Sequence, residues 1–303
     1  MYECRVERDS ITEYGERLTT FVVTLPRIVL AELNTHRMLS KSSASSRAIP
    51  VEKQIARLRE DPFLPVHWGK NQKGMQAEQE LTGDEIVTAT SIWRAAAAAS
   101  IDYALNLLTV GVHKQITNRL LEPFMWHTVI ISGTEWSNFF HLRDHRDAQP
   151  EIAKAARMMR DAYNASTPTL LWPNEWHLPF TSSEDSTEYV DRLVKISVGR
   201  SARVSYLNHD GKRDLEDDVR LAERVLASGH MAPYEHVARP MTHPERETFG
   251  RAWHIQQPQG PGGFADTSWR STGQKTFFLG NFNGWVQARK MIHGEWDVKA
   301  FGK

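Results

Sequence analysis

The sequence predicts an α/β protein in which a mixed β-sheet is flanked by long helices, and two observations favour this class. Apolar, β-branched segments at Tyr2–Arg8 and Leu18–Leu25 are joined by a polar turn containing Gly15, which indicates a β-hairpin. Helical periodicity over Glu85–Leu108 and Glu151–Ala165 predicts two helices long enough to cover a sheet.

The remaining elements follow from local signals along the chain. Apolar spacing near 3.6 residues predicts further helices. These are Ile28–Leu33, Val51–Arg59, Lys114–Leu121, Thr134–Leu142, Asp191–Gly199, Asp214–Ser228 and Asn281–Met291. Val237–Met241 is predicted as a short strand, whereas Ser201–Leu207 and Gln256–Gly263 are predicted as loops. The alanine run Ala95–Ala99 predicts close helix–helix packing.

We predict one domain over residues 1–303, with a possible internal junction. The proline-bearing connector Pro168–Pro179 is followed by the acidic, serine-rich segment Thr181–Glu188. This change in composition places the junction near residues 180–190, between a core of residues 1–179 and a segment of residues 190–303.

The charge and cysteine content limit the classes of function. The 37 Lys and Arg residues balance 37 Asp and Glu residues, so no overall field attracts a nucleic acid polymer or a membrane. No run of about 18 apolar residues exists to span a bilayer. A single cysteine, Cys4, excludes an internal disulfide and fits a reducing cytoplasm. We therefore expect a cytoplasmic protein without a membrane partner.

The segment Asn34–Pro50 is the main candidate for a binding site. It holds five serines and Thr35, framed by His36, Arg37 and Arg47. Arginine presents a rigid fork of donors that matches phosphate, and hydroxyl groups can fill the remaining acceptor sites. The pattern therefore favours an anion cradle. A solvated serine-rich loop with arginines on its rim is the alternative.

Several common kinds of site lack support in this sequence. Cys4 has no histidine near it in sequence, which favours a buried structural thiol over a nucleophile. His141 and His145 stand four residues apart, but no third ligand is indicated, so we predict no metal site. The glycine-rich signatures of Rossmann folds, P-loops and serine hydrolases do not occur.

The segment Thr35–Ala48 resembles the signature of the flavin-dependent thymidylate synthases, Arg-His-Arg-x-x-Ser-x-Asn-Glu-x-Ser-x-Arg-Tyr. Residues that match are His36, Arg37, Ser40, Ser45 and Arg47, and residues that depart are Thr35, Ser42, Ser43 and Ala48.

Three further stretches resemble motifs of the same family. Gly111–Leu121 is similar to its Gly-Val-Pro-Arg helix. Asn138–Ile152 contains counterparts of its Asn-Phe-Leu-x-Leu-Arg and Ala-Gln-Trp-Glu-Ile motifs. Ala202–Tyr206 and Gly229–His236 are similar to its Ala-Arg-Val-Ser-Phe and Gly-His-x-x-Pro-Phe-Glu-His motifs. The last two come first in the usual family order, so the chain resembles a phage-type branch with a circularly permuted segment order.

The resemblance implies roles for individual residues. Flavin adenine dinucleotide (FAD) would lie along His36, Arg37, Ser40, Asn138, Ser205, His230 and Glu235. The nucleotide phosphate would be held by Ser45, Ser46, Arg47 and Arg119. Arg143 and His230 are the expected catalytic residues, with Arg143 stabilising negative charge on the pyrimidine carbonyl. Arg289 is expected to bind cofactor and to replace the cation that is missing at Thr35.

The implied reaction is methylation of C5 of dUMP to give dTMP without an enzyme cysteine. FAD is the expected cofactor, with NADPH and methylene-tetrahydrofolate as co-substrates, in a homo-oligomer, a dimer or tetramer, with shared sites. Ser43 replaces a family glutamate near the base, so a C5 methylase or hydroxymethylase acting on dCMP or dUMP stays open. A non-catalytic nucleotide-binding protein, or one that binds single-stranded nucleic acid, is the other alternative.

Overall fold

The computed structural model describes residues 1–206, 214–247, 280–292 and 295. Its main element is a five-stranded mixed sheet with the order β3-β4-β2-β1-β5. The strands are β1 (Glu3–Thr12), β2 (Arg17–Pro26), β3 (Ser40–Ser43), β4 (Trp126–Gly133) and β5 (Thr169–Leu171). All neighbours are antiparallel except β1 and β5. A separate antiparallel pair is formed by β6 (Ala238–Pro240) and β7 (Trp285–Gln287).

Helices pack around this sheet. They are α1 (Leu30–Asn34), α2 (Val51–Glu60), α3 (Asp84–Thr109), α4 (Lys114–Thr117), α5 (Ser137–Arg143), α6 (Pro150–Ala165), α7 (Val190–Tyr206) and α8 (Leu215–Ala227). The predicted class, a mixed sheet flanked by long helices, is confirmed. No helix within the described ranges is both long and apolar enough to cross a membrane.

One face of the sheet forms the largest apolar core. Alternate residues of β2 and β4 point to this face, because successive side chains of a strand lie on opposite sides. Phe21 and Ile131 pack there against Phe139 of α5 and against Ile152 and Met159 of α6. These side chains are at most 2% exposed, so α5 is fixed firmly on the sheet. This packing positions the residues that follow at the end of α5.

The opposite face of the sheet is polar at its centre. Four strands each contribute a buried hydroxyl residue to it, and helix α7 packs against β3 and β4 on the same side. These hydroxyl residues are Ser10, Thr20, Ser132 and Ser42. A buried hydroxyl needs a hydrogen-bond partner. Here the partners come from two histidines outside the sheet, which are described below.

Helices α7 and α8 approach each other very closely at Gly199. A Cβ atom at this position would lie 2.1 Å from the carbonyl oxygen of Asp218, so only glycine fits. Next to it, Arg200 is buried and donates to both carboxylate oxygens of Asp185 and, through Nε, to Asp218 at 2.9 Å. Arg200 also donates to the carbonyl oxygen of Phe180, a non-glycine residue with a φ of 65°.

Within the described residues, helix α3 packs on a second apolar core along one side. Ala97, Ile101 and Ala104 are buried against α2 and Phe124. The other alanines of the run 95–99 are exposed. Within one chain, the predicted close packing of this run therefore involves Ala97 alone.

The structure corrects several predictions of local structure. The central strand β4 was not predicted, although its Thr-Val-Ile-Ile run is typical of a buried strand. Residues 201–206 continue helix α7 instead of forming a loop, because Ala202 packs into the core between the helices and Val204 is also buried. Residues 285–291 form strand β7 and a 3₁₀ turn instead of a helix, because Trp285–Gln287 pairs with β6. Gln256–Gly263 lies outside the described residues.

Candidate functional site

The first cluster of candidate residues lies where β3, α1 and α5 meet. Arg143, the last residue of α5, donates from Nε to Nε2 of His36 at 2.8 Å. Its Nη2 group donates to the Thr35 hydroxyl at 3.0 Å and to the carbonyl oxygen of Glu32 at 3.4 Å. The side chains of residues 36 and 143, which are far apart in sequence, are therefore in direct contact.

The contact with Arg143 defines the state of His36. A guanidinium nitrogen can only donate, so Nε2 of His36 accepts and the ring proton is on Nδ1. Burial, together with the charges of Arg143 and Lys41, lowers the pKa of His36 to about 4. The ring is therefore neutral at pH 7, and it packs edge-on against Phe139. Arg143 is held in one orientation as a result.

Ser40 lies beneath this cluster and not on its surface. It is 1% exposed, and its hydroxyl accepts from Nε2 of Gln287 at 3.0 Å and from Nδ2 of Asn281 at 3.2 Å. Asn281 also donates to the backbone oxygen of Arg37, whose side chain is exposed. Gln287 and Asn281 were not predicted. No sequence signal marks them, since they reach Ser40 only in the folded structure, Gln287 from β7 and Asn281 from the residues before this strand.

The segment around Glu235 joins the cluster from the other side. Gln287 donates to the backbone oxygen of Glu235 at 2.9 Å, and Arg289 forms an ion pair with the Glu235 carboxylate. Lys41 was also not predicted, and it donates to the backbone oxygen of His36. Burial lowers the pKa of Lys41 to about 8, although the nearby carboxylate of Glu235 opposes the shift.

The second cluster holds candidate phosphate ligands around Glu122. One carboxylate oxygen, Oε1, accepts from Arg119 at 2.8 Å and from the Ser46 hydroxyl, and it is 2.9 Å from Nη2 of Arg27. Two guanidinium groups therefore share one carboxylate, which leaves a net positive charge. Glu122 and Arg27 were not predicted, because neither lies in the serine-rich segment.

Asn118 fixes the segment that carries these serines. It is fully buried and donates to the backbone oxygens of Ser46 and Ile49 at 2.6 and 2.9 Å. As a result, Ser45 and Arg47 are exposed, whereas Ser46 lines a cavity of about 500 Å³. The predicted phosphate ligands thus lie on two sides of one short segment.

Four candidates, Asn138, His230, Ser45 and Arg47, form no side-chain hydrogen bond or ion pair with either cluster within the described residues. Asn138 is exposed on α5, and His230 is exposed after α8, where its Nδ1 lies 3.4 Å from the Ser228 hydroxyl. Ser205 lies in α7, and its side chain is outside the described part of the structure. The described residues hold no group of three or more His, Cys, Asp or Glu side chains able to bind a metal ion.

Comparisons with known proteins identify a family. The family model of the thymidylate synthase complementing protein matches residues 9–169, which is more than half of the chain. The comparison with curated proteins finds no match.

Among solved structures, the chain is similar to two of a UMP/dUMP methylase, PolB, from Streptomyces cacaoi. The one bound with 5-Br dUMP is 18% identical with a TM-score of 0.39, and the match covers 48% of this chain and 65% of that chain. The one bound with 5-Br UMP is 16% identical with a TM-score of 0.44, and the match covers 54% of this chain and 88% of that chain. The match thus spans just under two thirds of the PolB chain in the first of these structures.

Proposed function

Because the chain belongs to the thymidylate synthase complementing protein family, we propose that it methylates C5 of dUMP to give dTMP. The proposed cofactor is FAD, and the proposed co-substrates are NADPH and methylene-tetrahydrofolate. The observation that carries the proposal is the hydrogen bond from Arg143 to His36, because it joins two of the motifs in which the family resemblance lies.

In this proposal Arg143 stabilises the substrate ring. Among the described residues, the Nη1 group of Arg143 has no hydrogen-bond partner. That group is available to donate to a pyrimidine carbonyl on which negative charge develops, which is an effective form of electrostatic catalysis. His36, being neutral, orients the guanidinium without competing for the negative charge.

The first cluster has the donor chemistry that FAD requires. Guanidinium and ammonium groups suit a diphosphate. Ser40, buried beneath the cluster, would support the cofactor site through its hydrogen bonds with Gln287 and Asn281. Residues proposed to hold the cofactor are His36, Arg37, Ser40, Asn138, Ser205, His230, Glu235 and Arg289. When bound, FAD supplies the hydride that the transferred carbon needs. We propose that Arg289 replaces the arginine that the family has at the position of Thr35. Thr35 itself is contacted by Arg143.

The second cluster is proposed to hold the nucleotide phosphate. Ser45, Ser46, Arg47 and Arg119 remain the proposed ligands. The net positive charge around Glu122 supports this assignment, because two arginines there share a single carboxylate. Phosphate would then replace part of the carboxylate's contact with Arg119.

Cys4 supports a mechanism without a thiolate nucleophile. The thiol lies in β1 beside the main apolar core, and burial raises its pKa to about 12. A thiol with such a pKa is protonated at pH 7 and is a poor nucleophile. We therefore propose that carbon transfer to C5 proceeds without an enzyme–substrate sulfur bond.

Two measurements test the proposed function. We expect the purified protein to be yellow, with the absorption bands of oxidised flavin, and to release tritium from C5-labelled dUMP in the presence of NADPH and methylene-tetrahydrofolate. Release from labelled dCMP instead would favour the alternative base, and a product with an added hydroxymethyl group would favour hydroxymethylation. A colourless protein that binds nucleotide without releasing tritium would contradict the proposal and favour a binding protein.

We also propose that the chain is circularly permuted relative to its family. The segment of residues 229–236, which comes early in the family order, contacts the signature segment directly. Nε2 of His236 lies 2.9 Å from the hydroxyl of Ser42. Such a contact is expected if a relocated segment keeps its place in space. We keep residues 1–303 as one catalytic domain with its junction near residues 180–190.

The exposed side of α3 supports a homo-oligomer with sites shared between copies. Residues on this side follow a spacing of 4, 3, 4, 3 and 4, which is the seam of a helix pair. They are Ile92, Ala96, Ala99, Tyr103 and Asn106 of α3 and Val110 directly after it. Ile92 and Tyr103 are each 65% exposed, and the small alanines between them would permit close approach of a second copy.

Replacing Ala99 with arginine should therefore separate the copies. A charged side chain in the centre of a close helix contact is costly to bury, whereas Ala99 is exposed within one chain, so the fold should survive. We expect light scattering to show a mass near the 34.7 kDa of a single chain. Ala98→Arg is the matched control, since Ala98 is exposed on a different side of α3 and should leave the oligomer intact. An unchanged mass for Ala99→Arg would exclude this face as the interface.

A further inference from the structure

Two buried histidines and four hydroxyl residues form one continuous chain of hydrogen bonds across the sheet. The chain takes one hydroxyl from each of β1, β2, β4 and β3, which are consecutive strands of the sheet. In order, its members are Ser10, His177, Thr20, Ser132, His236 and Ser42. Ser42 is 6% exposed and the other five are 0% exposed.

Each link of this chain is short and well defined. Nδ1 of His177 is 2.9 Å from the Ser10 hydroxyl, and its Nε2 is 2.8 Å from that of Thr20. The Thr20 and Ser132 hydroxyls are 2.6 Å apart. Nδ1 of His236 is 2.8 Å from Ser132. The Ser42 hydroxyl is 2.9 Å from Nε2 of His236 and completes the chain. Among the described residues, none outside this chain of hydrogen bonds forms a hydrogen bond with the six side chains.

Both rings are neutral at pH 7. Burial lowers the pKa of His236 to about 3 and moves that of His177 well below its ordinary value. A neutral imidazole has one nitrogen that donates and one that accepts, and a hydroxyl has a single proton to donate. The position of each proton in the chain therefore depends on its neighbours.

One combination of tautomers cannot satisfy the chain. If His177 carried its proton on Nδ1 and His236 carried its proton on Nε2, Thr20 would have to donate to His177 and Ser132 to His236. Neither hydroxyl would then have a proton for the 2.6 Å contact between them. Two acceptor oxygens at this distance, away from water, would repel each other.

The opposite mixed combination is also unfavourable. With the protons on Nε2 of His177 and Nδ1 of His236, both rings donate inward, and either Thr20 or Ser132 keeps a proton with no acceptor in the chain. When both rings have the same tautomer, every link forms and the spare hydroxyl proton lies at one end, on Ser10 or on Ser42. A buried donor without an acceptor is costly.

We infer that His177 and His236 are positioning residues that share one tautomer, so that the hydrogen-bond direction set at β1 extends to β3. This coupling is independent of the proposed reaction. Its role in cofactor binding does rest on the proposed function. Ser42 lies between Lys41 and Ser43 in the signature segment, His236 follows Glu235, and both segments carry residues proposed to hold the cofactor. The chain of hydrogen bonds thereby holds the two segments that carry candidate cofactor residues in a fixed position relative to each other.

The two ends of the chain should drive the rings in opposite directions. In Ser10→Ala, Nδ1 of His177 loses its partner, and a buried acceptor without a partner is tolerated better than a buried N–H. His177 should then carry its proton on Nε2, and the links through Thr20 and Ser132 should place the His236 proton on Nε2 as well. In Ser42→Ala the same reasoning places both protons on Nδ1.

Nitrogen-15 spectra of histidine side chains in the full-length protein test this inference. Signals of the two rings are assigned by their loss in His177→Asn and His236→Asn. We expect Ser10→Ala and Ser42→Ala to show opposite tautomers at both rings. Thr24→Val is the control, because Thr24 forms a hydrogen bond with Thr128 on the same sheet and does not belong to the chain of hydrogen bonds. Its two histidine tautomers should match those of the wild type. If either ring had the same tautomer in Ser10→Ala as in Ser42→Ala, the coupling would be overturned.

Flavin retention separates the coupling from its proposed use. We expect Ser42→Ala to raise the dissociation constant for FAD several-fold, while Thr24→Val leaves it unchanged. Equal FAD affinity in wild type and Ser42→Ala would overturn the positioning role. If the wild-type protein binds no FAD, the proposed function and the positioning of that cofactor both fail, whereas the tautomer result still decides the coupling.

Discussion

Replacing Arg143 with methionine should lower kcat/KM for dUMP by about 10²–10³-fold, the usual effect of removing one donor that stabilises developing charge. Methionine keeps much of the side-chain volume but cannot donate to a carbonyl. His36 would also lose its partner at Nε2 and become free to reorient. We expect the loss mainly in kcat, because Arg143 is proposed to act on charge that develops in the transition state. Tritium release under saturating co-substrates measures it.

Arg146→Met is the matched control for this prediction. Arg146 lies three residues away, and its side chain is 80% exposed with ion pairs only to Glu78 and Asp147 among the described residues. Its replacement removes the same charge and should change kcat/KM less than twofold. A similar loss in both variants would show that net charge, and not the contact with His36, explains the effect of Arg143.

Replacing Arg200 with methionine should lower the free energy of unfolding by about 3–5 kcal/mol, as expected when one partner of a buried ion pair is removed. The Arg200 side chain is 7% exposed, and those of Asp185 and Asp218 are 5% and 1% exposed. Without the guanidinium, Asp185 loses its bidentate partner, and among the described side chains Asp218 keeps only its bond to Arg203. Urea denaturation measures the change.

The pH dependence gives a second readout for Arg200. Hydrogen bonds from Arg200 are the main cause that lowers the pKa of Asp185 from 3.8 to about 2. The unfolded state therefore binds more protons between these values, so this contribution is complete above pH 4 and is lost toward pH 2. We expect the difference between wild type and Arg200→Met to be largest at neutral pH and to narrow on acidification.

Arg220→Met is the control for stability. Arg220 pairs with Asp217 on the surface of α8, and its side chain is 67% exposed. Exposed ion pairs contribute about 0–1 kcal/mol, so this variant should unfold close to the wild-type midpoint. If Arg200→Met had the same urea midpoint of unfolding as Arg220→Met, the network around Arg200 would contribute no more to stability than an ion pair on the surface.

Local signals were sufficient for much of the fold. The hairpin of β1 and β2 and the helices α3, α6 and α8 were predicted close to their observed bounds, because each has regular periodicity and recognisable ends. Gly111 and Gly229 end their helices at φ angles of 81° and 75°, as a glycine C-cap predicts.

The elements that were missed depend on partners distant in sequence. Strand β4 lies between β2 and β3, and its identity as a central strand comes from both neighbours. Strand β7 is only three residues long and pairs with β6 across more than forty intervening residues. No local period predicts such pairing.

The candidate site shows the same division. Arg143, His36, Ser40, Glu235 and Arg289 were predicted from motifs, and the structure places them in one neighbourhood. Lys41 occupies a variable position of the signature segment, and Gln287 and Glu122 lie in no motif. Only tertiary contacts show their part, those of Lys41 and Gln287 in the first cluster and that of Glu122 with Arg119 in the second. The role of each predicted residue in binding or catalysis stays a proposal.

The short outer strands of the main sheet determine how copies of this chain can meet. β3 has four residues and β5 has three, so within the described structure neither border offers a long row of open backbone groups. Joining two sheets border to border would gain few hydrogen bonds. The homo-oligomer proposed above would therefore rely on side-chain surfaces, such as the exposed side of α3, and would leave the border of β3 uncovered by a second copy.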